Sequence, residues 1–187
     1  MVSLHPSHLD HVLGDVGAVA AACGVRERGE AVVAALRARL DRLAQAAPAS
    51  RPRIVVIEWL APPMLAGHWV PETIAAAGGA SVGPEAGVPS PYATWDEVRA
   101  LAPDAVIVAP CGFDLPRTIA EARPLADTLR SLAPRVLLMD GNAYLNRPGP
   151  RLVEAAETIA AGLRGEAVPE ERAVPLDATV SVTAGMR

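Results

Sequence analysis

Residues 53–72 read RIVVIEWLAPPMLAGHWVPE, and the change of pattern inside that stretch decides the fold. Ile54-Val55-Val56-Ile57 is a short β-branched run of the kind found in a strand covered on both faces. Glu58 and Trp59 end it, and Pro62, Pro63 and Gly67 then punctuate a loop before a helical segment opens near Pro71. A strand, a structured loop and a helix in that order make the first half of a βαβ unit.

Reading downstream, Ala105-Val106-Ile107-Val108 and Val136-Leu137-Leu138-Met139 repeat the same strand signature. A short strand near Ala80 to Val82 makes four. Helical segments separate them at about Pro71 to Ala77, Trp95 to Ala102 and Leu115 to Leu132, the last broken near Pro124, and another runs from Pro150 to Leu163. Alternating strands and helices predict an α/β fold with a parallel four-stranded sheet flanked by helices. Reading upstream, Ser7 with Asp10 three residues on resembles a capping box, and Leu9, Val12, Leu13, Val16 and Ala20 recur at helical spacing until Gly24. A longer helix over Arg26 to Ala46 carries the stripe Val32, Val33, Leu36, Leu40 and Leu43; at about 1.5 Å per residue it is roughly 30 Å long. The expected organisation is therefore a short strand remnant and first helix over 1–24, a long helix and linker over 25–52, an α/β ligand-binding lobe over 53–164 and a tail over 165–187. In that tail, Thr179-Val180-Ser181-Val182 is readable as an edge strand, but a loose end is the preferred reading.

Composition removes several function classes. The chain has 187 residues and a net charge of −4, and all of its Lys+Arg residues are arginine. Without a concentrated basic face it does not read as a nucleic-acid binder, and without lysine it has no Schiff-base or Walker-type chemistry. Cys23 and Cys111 are the only cysteines, which indicates neither a disulfide framework nor a cysteine zinc site. No apolar run reaches the roughly 18 residues that span a bilayer, and the first ten residues have no export signal, so the chain as written is expected to stay cytoplasmic.

Ligands of open α/β sheets bind outside the carboxyl ends of the strands. Here those ends lead into loops rich in Gly, Pro and aromatic residues: 59–69, a stretch reaching Pro91-Tyr92, Pro110 to Asp114, and Gly141 to Arg151. They form a pre-shaped, mostly apolar rim. The rim has no nucleophile elbow, no paired carboxylates and no phosphate cradle; Gly78-Gly79 reads as a helix C-cap. Cys111 beside His68 is a nucleophile candidate against a plain buried thiol. His5, His8 and His11 are read as a solvated first turn rather than a zinc site. Thr94 with Glu97 makes a capping box that leaves Asp96 unexplained. Arg147 and Arg151 bracket Pro148-Gly149-Pro150, as carbonyl clamps or ligand contacts.

Four of these motifs, taken in order, carry a resemblance. Glu58-Trp59-Leu60-Ala61-Pro62-Pro63, Ala66-Gly67-His68-Trp69-Val70-Pro71-Glu72, Pro110-Cys111-Gly112-Phe113-Asp114 and 140–151, from Asp140 to Arg151, resemble the cobalamin-binding proteins of the cobalamin/iron-siderophore class of ABC-transporter substrate-binding proteins. The resemblance runs from about Val2 to Leu163. It implies two α/β lobes joined by a long rigid helix, with ligand clamped between them, and the 26–46 segment looks like that helix. The family's first lobe normally precedes Val2-Ser3-Leu4, which looks like the strand leading out of it. The expectation is therefore a second lobe plus connecting helix, extracytoplasmic by resemblance, with homodimerisation favoured through surfaces that the first lobe would cover.

The resemblance further implies a corrinoid facing Trp69, Tyr92, Tyr144 and Arg147, with Met64, His68, Phe113 and Asn146 behind them. Met64 stands where relatives often place an aromatic. It also implies docking to an ABC permease through Asp96, with Glu72 as the alternative. Cobalamin is then a transported ligand; no cofactor, metal or catalytic residue is expected. The rival readings are an iron-siderophore or haem-like ligand, a small intracellular enzyme using Cys111 and His68, and a truncated non-binding assembly module.

Overall fold

The computed structural model describes residues 2–178. In chain order the elements are α1 (Leu9–Ala22), α2 (Arg26–Gln45), β1 (Arg53–Leu60), β2 (Pro63–Leu65), α3 (Val70–Ala76), β3 (Ala80–Ser81), α4 (Trp95–Ala100), β4 (Ala105–Val108), α5 (Leu115–Ala122), a 3-10 turn (Arg123–Leu125), α6 (Ala126–Leu132), β5 (Arg135–Met139), a π-helical turn (Gly141–Leu145), α7 (Arg151–Arg164) and β6 (Ala173–Pro175). Pro124 breaks the α5–α6 segment where the sequence places the break, because its ring removes a helical donor.

The α/β prediction holds, but among the described residues the sheet has six strands and is mixed rather than four-stranded and parallel. Its order is β2-β1-β4-β5-β6, with β3 pairing the start of β1. β1, β3, β4 and β5 run parallel, whereas β2 and β6 are antiparallel additions at the two edges. Neither edge strand is readable from pattern alone. Each has three residues and carries a proline, which lacks a ladder donor and is tolerated at a sheet edge. β6 also corrects the loose reading of 165–187; the proposed strand at 179–182 lies outside the described residues.

The continuous apolar run of β1 is explained by helices on both faces. Ile54 and Val56 point into a core shared with α1, α3 and α7, through Leu9, Ile74, Leu152 and Ile159. Val55 and Ile57 point into the opposite core with Val98, Leu115 and Leu129 of α4, α5 and α6. This is the period-two alternation of a strand. Each such side chain contributes on the order of 1.5–3 kcal/mol by leaving water, so β1 is anchored from both faces. α2 is held against α7 by Leu36, Val153 and Leu13 and by a two-pronged Arg39–Glu157 pair at 2.8 and 2.6 Å. Among the described residues no helix is long and apolar enough to cross a membrane.

Two N-terminal expectations are corrected. Ser7 does not cap α1: the N-cap is His8, without a side-chain cap, and Ser7 instead bonds the His11 ring. The first amide of the helix, that of Leu9, donates to the Glu72 carboxylate at 2.5 Å. Val2-Ser3-Leu4 forms no strand, since no neighbouring strand offers it a ladder. Other local signals are realised directly. Thr94 and Glu97 form the reciprocal capping box, and Gly78, past the end of α3, adopts φ +89°, a left-handed conformation open to glycine.

Candidate functional site

The carboxyl ends of β1, β4 and β5 open onto the loops singled out in the sequence, and their side chains form a linked rim. At one end Tyr92 is 66% exposed, and its backbone bridges Met64. Met64 lies opposite Trp59 across the β1–β2 hairpin. The Trp59 ring meets Phe113 with centroids 5.4 Å apart. The Phe113 carbonyl accepts the Asn142 amide at 3.0 Å, and the Asn142 side-chain oxygen accepts Nε and Nη2 of Arg147 at 3.0 and 2.7 Å. Four separate loops are thereby tied into one edge.

The residues of that edge do not all present themselves outward. Trp69 is buried, and its Nε1–H donates to the Leu145 carbonyl at 2.9 Å, so it braces the rim from below. Phe113 is also buried, covered by the Arg117 guanidinium 3.7 Å above its ring. Asn146 donates to the Ala109 carbonyl at 2.7 Å, pinning the 141–151 loop to the end of β4. Gly141 makes that approach possible: a Cβ there would lie 2.5 Å from the Pro110 carbonyl oxygen. Tyr144 is half-buried between two cations, Arg151 at 5.7 Å and Arg172 at 5.4 Å from its ring. Tyr92, Met64, Tyr144 and Arg147 thus remain available at the surface. Trp59 and Arg117 join them; the sequence reads Trp59 as the end of its strand and does not single out Arg117. The spacing of Arg117, one helical turn beyond Phe113, is the signal that finds it.

Beneath the rim lies a polar knot. Glu58 is buried at the end of β1. Burial raises its pKa above the ordinary carboxylate value, opposed by a hydrogen bond from Ser90 and by the field of His68. Ser90 Oγ also accepts the Gly67 amide at 3.0 Å, while His68 N–H donates to the Val88 carbonyl and Gly87 N–H to the His68 carbonyl. These bonds clamp the 83–92 segment, and with it Tyr92, onto the 66–68 loop. His68 sits at φ +50°, and its Nδ1 is buried without a hydrogen-bond partner.

Cys111 does not have the environment of a nucleophile. Although the residue is exposed, the protein around its sulfur, and secondarily the Glu58 charge, push its pKa up to about 11. At neutral pH it is a protonated thiol with little nucleophilic character. The two cysteines are unpaired, and among the described residues no group of three His, Cys, Asp or Glu side chains is arranged to hold a metal ion. The docking candidates separate as well. Glu72 is occupied as the cap of α1, bonding His8 Nδ1 at 3.0 Å and the Leu9 amide; Asp96 is almost fully exposed and paired only with Arg99. A cavity of about 470 Å³ between β5 and the segment after α7, lined by Leu137, Ile159 and Val168, contains none of the candidate side chains.

No protein-family model matches the sequence, and no curated protein matches it. Solved structures do. An ABC-transporter substrate-binding protein from Listeria monocytogenes EGD-e superposes with a TM-score of 0.73 at 15% identity, over 86% of this chain and 66% of that one. The periplasmic vitamin B12-binding protein BtuF of Vibrio cholerae gives 0.66 at 21% identity, over 87% and 64%. The periplasmic haem-binding protein RhuT from Roseiflexus sp. RS-1 gives 0.66 at 24% identity, over 86% and 64%. The likeness establishes the fold, an α/β lobe of the periplasmic-binding-protein kind, and the chain spans about two thirds of the length of these structures.

Proposed function

We propose that this chain is the ligand-capturing part of an ABC-importer substrate-binding protein and that its ligand is cobalamin or a related corrinoid. The observation that carries the reading is the continuous rim from Tyr92 through Met64, Trp59 and Phe113 to Asn142 and Arg147. A broad macrocycle fringed with amides needs flat apolar contacts along one edge and a few donors and acceptors at its periphery, and the rim supplies both. Its loops are fixed by backbone hydrogen bonds before any ligand arrives, which lowers the ordering cost of binding. The raised Cys111 pKa weighs against the enzyme reading. Exposed Asp96, held only by Arg99 of its own helix, is better placed than Glu72 to meet an arginine of a permease.

A haem-like ligand is the second reading, favoured by the likeness to a haem-binding structure at 24% identity. Titration calorimetry with cyanocobalamin and with ferric protoporphyrin separates the two. Tyr92→Ala and Tyr144→Ala are each expected to weaken binding of the preferred ligand at least tenfold, as loss of an interface aromatic does, without lowering the melting temperature appreciably for Tyr92→Ala. Full affinity in the double variant overturns the rim as the binding surface. Trp69→Ala is a poor probe because that ring belongs to the core.

A further inference from the structure

Arg172 stands outside the four rim loops, in the segment between α7 and β6, yet two separate parts of it reach the rim. Its carbonyl accepts the Asp140 amide at 2.9 Å. Asp140 in turn caps the π-helical turn, taking the Ala143 amide on its side chain at 2.7 Å and the Tyr144 amide on its carbonyl at 3.3 Å. The guanidinium of the same Arg172 lies 5.4 Å from the Tyr144 ring. One residue therefore holds both the backbone that carries Tyr144 and the ring itself.

Arg172 is itself fixed where it stands. Its amide donates to the Pro169 carbonyl at 2.9 Å, and the next residue, Ala173, pairs with Met139 where β6 meets β5, so the sheet sets the position of its backbone. Its Nη2 pairs with Glu154 of α7 at 3.1 Å, both side chains being less than one-third exposed, and exposed Glu171, 3.8 Å from Nε, adds a looser pair. The Glu157 carboxyl, held low first by its hydrogen bond to Arg39, feels the Arg172 charge as well. A cation within about 6 Å of a ring centroid attracts that ring, the more so as water is excluded. Arg151 also lies 5.7 Å from the ring, but it is exposed and comes from the same stretch of chain. Arg172 approaches from a different element, one that the sequence reading leaves in a loose tail. A ring held in place beforehand loses less rotamer freedom when a ligand stacks on it.

We infer that Arg172 is a positioning residue for the candidate site: its guanidinium sets the orientation of the Tyr144 ring before a ligand arrives, and Glu154 sets the orientation of the guanidinium. The inference rests on the reading that this edge takes a macrocycle, and it adds the segment after α7 to what determines the affinity of that edge.

Arg172→Gln tests it, because that change removes the charge and keeps the carbonyl that holds Asp140. The chain has two tyrosines, so 3-fluorotyrosine labelling gives two fluorine resonances, assigned with Tyr92→Phe. In the free chain Arg172→Gln should shift the Tyr144 resonance and leave that of Tyr92 in place. In calorimetry with cyanocobalamin and with ferric protoporphyrin, the same change should weaken the probe that the wild-type chain prefers about fivefold, yet alter its affinity by less than about twofold in the Tyr144→Ala background. Arg172→Lys, which keeps the cation, should recover the greater part of both effects. A Tyr144 resonance that does not move, or an equal loss of affinity with and without Tyr144→Ala, overturns the positioning role and leaves the macrocycle reading standing. Binding of neither probe by the wild-type chain overturns the macrocycle reading, while the fluorine spectrum still decides whether Arg172 holds the ring.

Discussion

Glu58 places a carboxyl group where a strand end would normally carry an apolar residue. Its folded-state pKa is raised, by burial first. Between the unfolded pKa and that raised value the folded chain binds more protons than the unfolded one, so its contribution is favourable below the unfolded pKa and is lost as pH rises through the folded pKa. Glu58→Gln keeps the hydrogen bond with Ser90 but carries no charge. It should therefore be more stable than wild type at pH 7 by about 1 kcal/mol, the scale of one buried polar group, with the difference fading by pH 4. Urea unfolding at the two pH values checks this; an equal effect at both would mean that the carboxylate is not charged against its surroundings. Cys111 gives a second titration at the same scale. With a pKa of about 11, its alkylation by iodoacetamide should keep accelerating beyond pH 9, whereas a rate that levels off near neutrality would restore it as a reactive thiol.

At the scale of elements, the start of α1 is held by a residue from α3. Glu72 accepts from both His8 and the Leu9 amide, work that a local Ser or Asp usually does. Glu72→Ala should cost about 1–2 kcal/mol of stability and leave ligand affinity within twofold, by denaturation and calorimetry on the same sample; unaltered stability would return Glu72 to the pool of docking residues. The same contact shows where sequence reading stops. The parallel strands, the connecting helices and the Thr94–Glu97 box are legible because each is written within a few neighbouring positions. The Glu72 cap, formed across 63 positions with Leu9, leaves no local signature, and Ser7 supplies a plausible false one. The edge strands are too short for alternation to register. On the rim, Gly and Pro locate the loops that carry Tyr92, Tyr144 and Arg147, but loop position does not reveal which way a ring turns, and Trp69 turns inward. Glu58 is hidden for the opposite reason: a charged residue at a strand end reads as the edge of the buried run, and only the fold of 83–92 over it closes it in.

For the molecule as a whole, the proposed role would join this lobe to its partner through α2, and such a role asks that α2 be a fixed strut rather than a loose arm. Few residues of α2 are buried; Gly29 and Leu36 are the ones that are, and much of its surface is charged. Beside the Leu36–Val153 contact, a polar link from its middle to α7 is the Arg39–Glu157 fork, bidentate and only about one-third exposed at each partner. Hydrogen bonding to Arg39 holds the Glu157 carboxyl below the usual carboxylate range. Its contribution is thus present above the unfolded pKa and is lost as pH falls through the lowered folded value. A paired surface fork of this kind is worth about 0.5–1 kcal/mol after solvent screening. A double-mutant cycle of Arg39→Ala and Glu157→Ala should give coupling of that size at pH 7 and low salt, less in 1 M NaCl, and close to none at pH 2. Hydrogen exchange in the variants should show α2 opening more readily while β1 and β4 keep their protection, because the strands are secured by the two apolar cores and not by this pair. Coupling indistinguishable from zero at pH 7 would mean that Leu36, Leu13 and Val153 alone hold the strut, and the helix would then be expected to move against the lobe.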